Sequence, residues 1–302
     1  MQGSRCSSRS GPFVEGTEMA PDTMRYAKTP SGDIAYVDRG DGATALFVHG
    51  VFLNSHLWRH VMAQVSDLRR CVAVDLLAHG ATRITGDQDV SFDAQARMLE
   101  EVCQALNLDQ VDVVANDSGG GIAQIFAARH PSRIRSLTLT NCDVHDNYPP
   151  APLLPLMKAV DDGRLGSIGR GMLNDVTFAR KFFGVGLEHP ESVSEETFRT
   201  YLAPLFANPD RVRDLERFFK LDCNQTVAVE PLLRRLEAPS LVVWGTDDIF
   251  FPLKWAYWLR DTIPGCRDVI EVQGAKLFFP EERPEDLVRP LRAFWQAGSR
   301  RG

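Results

Sequence analysis

The stretch VDVVANDSGGG (111–121) joins a strand pattern directly to a helix pattern. It opens with an apolar, β-branched run that is typical of a buried parallel strand. The polar pair Asp117 and Ser118 follows this run, and an amphipathic stretch occupies residues 119–130. In open α/β sheets, ligands bind outside the carboxyl ends of the strands. Asp117 and Ser118 are therefore the first candidate site residues of the chain.

The same alternation of patterns extends on both sides of this stretch. Further helical patterns occupy residues 91–107 and 285–297. The other strand patterns are ALFVHG (45–50), CVAVDL (71–76), SLTLTN (136–141), SLVVWG (240–245) and VIEVQG (269–274). Strands that alternate with helices predict a doubly wound, mostly parallel α/β sheet.

Residues 143–236 interrupt this alternation. They open with the proline-rich run NYPPAPLLPL (147–156) and continue as helical patterns without a clear strand. Because the alternation resumes afterwards, we expect a helical cap that is inserted into a core of residues 24–142 and 237–302. A separate helical domain is the alternative.

Composition excludes several classes of function. The chain has 302 residues and a formal net charge of −6, which argues against nucleic acid and anionic membranes as partners. No run approaches the roughly 18 apolar residues of a membrane helix. Residues 1–23 lack the apolar segment of a secretory signal, so we expect a disordered tail, with Met19 or Met24 as the true start.

Cysteine usage and glycine spacing favour a reduced protein without a cofactor. The six cysteines are scattered, with no CxxC pair and no zinc-type spacing, which favours a cytoplasmic protein. No phosphate-binding glycine loop occurs, so we expect no metal and no organic cofactor. The expected partner is a small-molecule substrate, and the sequence does not indicate an oligomeric state.

The turn at Asp117 resembles the nucleophile elbow of the α/β-hydrolase superfamily, in which small residues flank a nucleophile on a strained strand-to-helix turn. With Asp117 as the nucleophile, the small positions are Ala115 and Gly119; Ser118 is the alternative nucleophile, one position later. The strand length favours Asp117. That register is similar to the branch of epoxide hydrolases and haloalkane dehalogenases, where an aspartate attacks carbon. An aspartate that only caps the following helix is the other interpretation.

The segment His49-Gly50-Val51-Phe52 is similar to the superfamily's oxyanion loop. The resemblance implies that the N–H of Val51 or Phe52, together with that of Ser118, polarises an oxygen of the substrate. The dehalogenases place a halide-binding Asn where Val51 stands and a Trp where Ser118 stands. Both are missing here, which argues against dehalogenation.

Of the two remaining triad positions, the acid matches the superfamily and the histidine does not. Gly245, Asp248 and Pro252 match the motif of the triad acid, so the resemblance implies that Asp248 orients a histidine base. The superfamily's closing Gly-Ala-Gly-His-Phe motif aligns with GAKLF (274–278), and its histidine falls on Leu277. No histidine follows His189 in the chain, so the usual base is absent.

Other residues are candidates for the missing functions. His145 and Asp143 follow the strand pattern 136–141 at its carboxyl end, so either could act as the base; a surface or hinge histidine is the alternative for His145. In epoxide hydrolases, cap tyrosines donate a proton to the epoxide oxygen. The resemblance therefore implies Tyr148 and Tyr201 as donors, and packed core tyrosines are the alternative.

These observations predict an enzyme that hydrolyses a small, apolar metabolite of the epoxide or ester type, with Asp117 as the nucleophile. An ionised aspartate, unlike a serine, needs no base in order to attack. One alternative is a lyase, cyclase or isomerase in which Asp117, near Asp248, transfers a proton. The other is a ligand-binding pseudoenzyme.

Overall fold

The strand that ends at Asp117 lies near the middle of an eight-stranded sheet. The computed structural model describes residues 23–220 and 224–299, so almost all of the predicted tail and the start at Met19 lie outside the described residues. In the described part the strand order is β1-β2-β4-β3-β5-β6-β7-β8. The strands are β1 Arg25–Thr29, β2 Gly32–Arg39, β3 Thr44–Val48, β4 Arg70–Val74, β5 Val111–Asp117, β6 Ile134–Cys142, β7 Ser240–Gly245 and β8 Cys266–Val272.

Most of this sheet is parallel, which confirms the predicted doubly wound architecture. β3 pairs in parallel with β4 and β5, and the parallel pairing continues through β6, β7 and β8. Every residue of β3 and β5 is buried, as expected for strands that are covered on both faces. The antiparallel pairs of β1 with β2 and of β2 with β4 are additions to the prediction. β1 is a mostly exposed edge strand without an apolar run, so its sequence carries no strong signal.

Helices pack on the sheet and on one another. α3 packs against β5 and β6, and α2 packs against α3. No helix of the described residues is long and apolar enough to cross a membrane. The α-helices are α1 Arg59–Val65, α2 Phe92–Ala105, α3 Ser118–Arg129, α4 Leu154–Asp161, α5 Leu165–Asn174, α6 Val176–Phe183, α7 Glu195–Phe206, α8 Pro209–Phe219, α9 Asn224–Leu233, α10 Lys254–Thr262, α11 Phe279–Glu282 and α12 Pro284–Ser299.

The chain between β6 and β7, here called the helical insertion (residues 143–236), contains α4 to α9 and, in its described part, no strand. Within it α5 packs against α6, α7 and α8. The last of these helices, α9, instead packs against α3 beside the sheet. The insertion thus leaves the sheet at one strand end and returns to the core layer before β7 begins.

Two polar networks fasten the helical insertion to the core. The Arg59 guanidinium donates to both carboxylate oxygens of Glu281, at 2.6 and 2.5 Å, and the Tyr201 hydroxyl donates to the same carboxylate at 2.5 Å. The Glu282 carboxylate accepts the backbone N–H groups of residues 188–189 at 2.7 and 2.6 Å. Both networks join the segment that follows β8 to the insertion.

Replacing Arg59 with methionine is expected to lower the free energy of unfolding by about 3 kcal/mol, because it leaves the Glu281 carboxylate, whose side chain is 7% exposed, without its cation. Urea denaturation measures the loss. Arg292→Met is the matched control, since its ion pair with Asp67 is exposed and should contribute less than about 1 kcal/mol. Equal losses in the two variants would mean that the Arg59 network does not stabilise the fold.

Candidate active site

The turn between β5 and α3 places Asp117 at its vertex. Asp117 has φ 57° and ψ −137°, a left-handed conformation that costs backbone energy. Two glycines make this turn possible: a Cβ on Gly119 would lie 2.2 Å from the carbonyl oxygen of His49, and a Cβ on Gly120 would lie 2.2 Å from the Cβ of Cys142. The strained position is therefore that of Asp117, while Ser118 is the first residue of the helix.

The Asp117 carboxylate lies against the loop that follows β3. A Cβ on Gly50 would be 2.2 Å from Asp117 Oδ2, so only glycine leaves room for this side chain. Val51 and Ser118 direct their backbone N–H groups at the carboxylate and favour its charged form. Burial and the charge of Asp248 act against them and raise the pKa of Asp117 to about 7. The carboxylate is thus close to half ionised at neutral pH.

His49 has a structural role in this loop. Its ring Nδ1 lies 2.7 Å from the carbonyl oxygen of Gly50, and its Nε2 accepts the N–H of Leu76 at 3.0 Å. Burial lowers the pKa of His49 to about 4, so the ring is neutral. The residue does not line the cavity in front of Asp117, whereas Val51 and Phe52 do. His49, which we predicted as a substrate-binding residue of the oxyanion loop, is therefore not brought to the cavity wall by the structure.

Asp248 follows β7, as the resemblance implies for a triad acid, but its partners are not histidines. Its carboxylate accepts the side-chain amide of Asn141 at 2.9 Å and the N–H of Phe250 at 2.8 Å. Burial raises the pKa of Asp248 to about 6. Because both oxygens are hydrogen-bonded and the residue does not line the cavity, Asp248 acts on Asp117 through its charge.

Leu277, which the resemblance aligns with the superfamily's histidine, lies on the cavity wall. Its side chain lines the cavity, and its carbonyl oxygen accepts the side-chain amide of Asn116 at 3.0 Å. None of the residues that line this cavity is a histidine. His145, the predicted substitute, lies outside the cavity, with Nε2 2.8 Å from a carboxylate oxygen of Glu230 and its ring against Trp258. The structure therefore does not bring His145 to Asp117.

Asp143, the other predicted substitute, does line the cavity. It follows β6, and its backbone N–H donates to the carbonyl oxygen of Asp117 at 3.4 Å. The Ser118 hydroxyl donates to its carboxylate, whose Oδ1 is buried without a partner among the described residues. Burial and the charge of Asp117 raise the pKa of Asp143 well above its ordinary value. Asp143 thus tends to keep its proton beside Asp117.

The two predicted proton-donating tyrosines have different surroundings. Tyr148 lines the cavity and packs edge-on against Phe92, with ring centroids 5.2 Å apart. Tyr201 is buried, donates its hydroxyl to Glu281 and does not line the cavity. The structure therefore does not bring the Tyr201 hydroxyl to the cavity, because it is hydrogen-bonded to Glu281, the ion-pair partner of Arg59.

The cavity above Asp117 has a volume of about 380 Å³ and an almost entirely apolar wall. Among the described residues, no group of three histidine, cysteine, aspartate or glutamate side chains is arranged to hold a metal ion. At the mouth, Lys181 is the one cationic side chain that lines the cavity. The aromatic part of the wall consists of Phe52, Tyr148, Phe178, Phe182, Phe183, Phe218, Phe219, Phe250, Phe251 and Phe278.

Sequence reasoning missed most of this wall. The helical insertion is rich in phenylalanine, but its sequence does not distinguish side chains that face a cavity from those that pack between helices. A signal was available for Phe250 and Phe278, because each lies within two residues of a motif position, Asp248 and Leu277 respectively. Residues next to site motifs share the same strand ends and therefore tend to face the same space.

Comparison with known proteins agrees with this architecture. A family model described as the alpha/beta hydrolase fold matches residues 46–283. Haloalkane dehalogenase 2 of Mycobacterium tuberculosis strain H37Rv is 26% identical over 289 residues, covering 92% of this chain and 97% of the relative. Cis-3-alkyl-4-alkyloxetan-2-one decarboxylase of Xanthomonas campestris pv. campestris is 25% identical over 289 residues, covering 88% and 93%. A ligand-free epoxide hydrolase structure superimposes with a TM-score of 0.74 at 19% identity, covering 91% and 99%.

Proposed function

The chain belongs to the α/β-hydrolase-fold family, and within that family we propose that it is an enzyme whose Asp117 carboxylate attacks an electrophilic carbon of a small, apolar substrate. The observation that carries this proposal is the position of the carboxylate, on a strained turn that lines an apolar cavity. The N–H groups of Val51 and Ser118, which face the carboxylate, would stabilise the oxyanion that forms when its ester is hydrolysed.

Epoxides are the substrate class that this site fits best. Opening a three-membered ring releases strain, so a weak nucleophile such as a carboxylate is sufficient, and the leaving oxygen stays attached to the substrate. The apolar wall favours an alkyl or aryl substituent on the ring. Water then hydrolyses the Asp117 ester, and the product is a diol.

Dehalogenation is not proposed, although one relative is named a haloalkane dehalogenase. No asparagine or tryptophan side chain lines the cavity, so the donors that would hold a departing halide are missing. Val51 and Ser118 occupy the two positions where the resemblance would require them. An uncompensated halide in an apolar cavity would be costly to form.

A second candidate reaction is supported by the absence of histidine from the cavity wall. If Asp117 opens a four-membered lactone at its alkyl carbon, the ring leaves a carboxylate. Loss of CO₂ then forms a carbon–carbon double bond and expels the Asp117 carboxylate, so neither water nor a base is consumed. The decarboxylase relative from Xanthomonas campestris is named for substrates with such a ring.

Isotope labelling at Asp117 tests the proposed function. We expect single turnover of 1,2-epoxyoctane in H₂¹⁸O to add one ¹⁸O atom to the peptide that contains Asp117, because water attacks the ester carbonyl. Rapidly quenched samples should carry the whole epoxide on the same peptide. The adduct should form faster as the pH rises through about 7, since only the ionised carboxylate attacks.

The control is Asp247→Asn, which changes an exposed carboxylate one residue from Asp248 and should leave labelling intact. Asp117→Asn should show neither adduct nor label. Adduct formation in that variant, or turnover of the epoxide without any modification of Asp117, would refute nucleophilic attack. Release of CO₂ from an alkyl-substituted four-membered lactone, without ¹⁸O in the protein, would identify the second candidate instead.

A further inference from the structure

On the basis of the proposed function, we propose that Asp143 is the general acid and base of this site, and that it shares a single proton with Asp117. In this role Asp143 takes the place of the superfamily's catalytic histidine, which the sequence motif around Leu277 does not contain. Asp143 first protonates the oxygen of the opened ring and then accepts a proton from the water that hydrolyses the Asp117 ester.

The two carboxyl groups belong to residues at the carboxyl ends of neighbouring strands. β5 and β6 are parallel neighbours, and Asp117 is in register with Cys142, the residue before Asp143. The two side chains are only 4% and 1% exposed, and both line the floor of the same cavity. The first turn of α3 lies against the pair, because a Cβ on Gly121 would be 3.1 Å from the Cβ of Asp143.

Each carboxyl group has one oxygen without a partner. Asp117 Oδ2 and Asp143 Oδ1 are buried and accept no hydrogen bond from any described residue. Two buried carboxylates next to each other are strongly unfavourable, whereas one carboxylate and one carboxylic acid can share a proton. Both residues line the cavity in which a substrate would lie, so the pair belongs to the same site as the substrate.

The surroundings of Asp143 keep that proton in place. The groups that face it are the Asp117 carboxylate from β5, the Ser118 hydroxyl from α3 and the Cys142 thiol from β6. None of these is a cation, and the one cation on the cavity wall, Lys181, is exposed at the mouth. Burial and the charge of Asp117 raise the pKa of Asp143 well above its ordinary value, so Asp143 tends to keep its proton.

The proton balance closes over one turnover. Ionised Asp117 attacks the ring carbon, the ring C–O bond breaks, and the Asp143 proton passes to the ring oxygen. Asp143, now ionised, takes a proton from water while the hydroxide adds to the ester carbonyl. The tetrahedral intermediate expels the product oxygen, which receives that proton. Asp117 is left as the acid and Asp143 as the carboxylate, so the pair again holds one proton.

Asp143→Asn provides the test, with 1,2-epoxyoctane as the probe. We expect decay of the Asp117 adduct to slow by about a hundredfold to ten-thousandfold, the usual contribution of a general base. The adduct should then accumulate in intact-protein mass spectra. Asp146→Asn is the matched control, because that carboxylate is three residues away and exposed. The wild-type rate should fall at high pH as Asp143 loses its proton, and this fall should be absent from the variant.

Chemical rescue separates a catalytic role from a structural one. Formate added to Asp143→Ala should restore adduct decay, because the variant opens space at the cavity floor for an external carboxylate. Folding of both variants is checked by urea denaturation. Adduct decay at the wild-type rate in Asp143→Asn, or no response of a folded Asp143→Ala to formate, would overturn the inference. If wild-type protein shows neither adduct nor ¹⁸O at Asp117, the proposed function itself fails.

Discussion

Replacing Asp117 with asparagine is expected to raise the free energy of unfolding at pH 8 by about 4 kcal/mol while it removes the activity. The pKa of Asp117 is raised from its ordinary 3.8 to about 7, chiefly by burial. Each pKa unit corresponds to about 1.36 kcal/mol, so ionising the folded protein costs about 4 kcal/mol more than ionising the unfolded chain. Asparagine avoids this cost, and it tolerates the left-handed backbone at this position.

The pH dependence identifies the cause. Between pH 4 and 7 the folded protein binds more protons at Asp117 than the unfolded chain does, so the free energy of unfolding falls as the pH rises and then levels off above 7. Asp117→Asn should lack this fall and should be nearly as stable as wild type at pH 4. Urea denaturation at pH 4 and pH 8 measures both values, with Asp247→Asn as the exposed control. A difference between Asp117→Asn and wild type that is equal at the two pH values would exclude burial of charge as its source.

In a protein that carries Asp143→Asn, replacing Leu277 with histidine is expected to speed decay of the Asp117 adduct by about a hundredfold or more, because it places a general base on the cavity wall. The side-chain amide of Asn116 donates to the carbonyl oxygens of Leu277 and Asn141, and the side-chain amide of Asn141 donates to the Asp248 carboxylate. The resemblance implies that Asp248 would orient an imidazole at position 277, as a triad acid does, once it exchanges its bond to Asn141 for one to the ring.

Two further variants show whether the gain comes from the imidazole. Leu277→Met keeps a similar volume without a titratable group and should leave the decay rate unchanged. Adding Asp248→Asn to Leu277→His should remove most of the gain. An imidazole acts as a base only when it is neutral, so the gain should disappear as the pH falls below about 6. Acceleration by Leu277→Met would mean that repacking of the wall, not base catalysis, is responsible.

The sequence predicts those parts of the site in which the path of the backbone requires particular small residues. β5 and its turn are recognisable because Ala115, Gly119 and Gly120 have no side chains large enough to block the approach of neighbouring chain segments. That a leucine takes the place of the superfamily's histidine stays a prediction, made because the motif around Leu277 aligns without a gap. The spacing of these motifs predicts the positions of site residues because each motif residue lies at the end of a parallel strand.

The placement of His145 and Tyr201 could not be predicted in the same way. Both lie in segments whose side-chain directions depend on long-range partners: Glu230 in one case, Arg59 and Glu281 in the other. These partners are distant in sequence. Each of them contacts the polar group of His145 or Tyr201, which therefore does not face the cavity. Polar side chains of the helical insertion therefore require the three-dimensional structure for their assignment.

The contacts that fasten the helical insertion to the core also hold part of the cavity wall in place. The N–H of Phe278 donates to Gly186 at 2.9 Å, and its ring stacks on Phe183 beside the Glu282 contacts. Phe278 lines the cavity, so this attachment sets part of the shape of the space that a substrate enters.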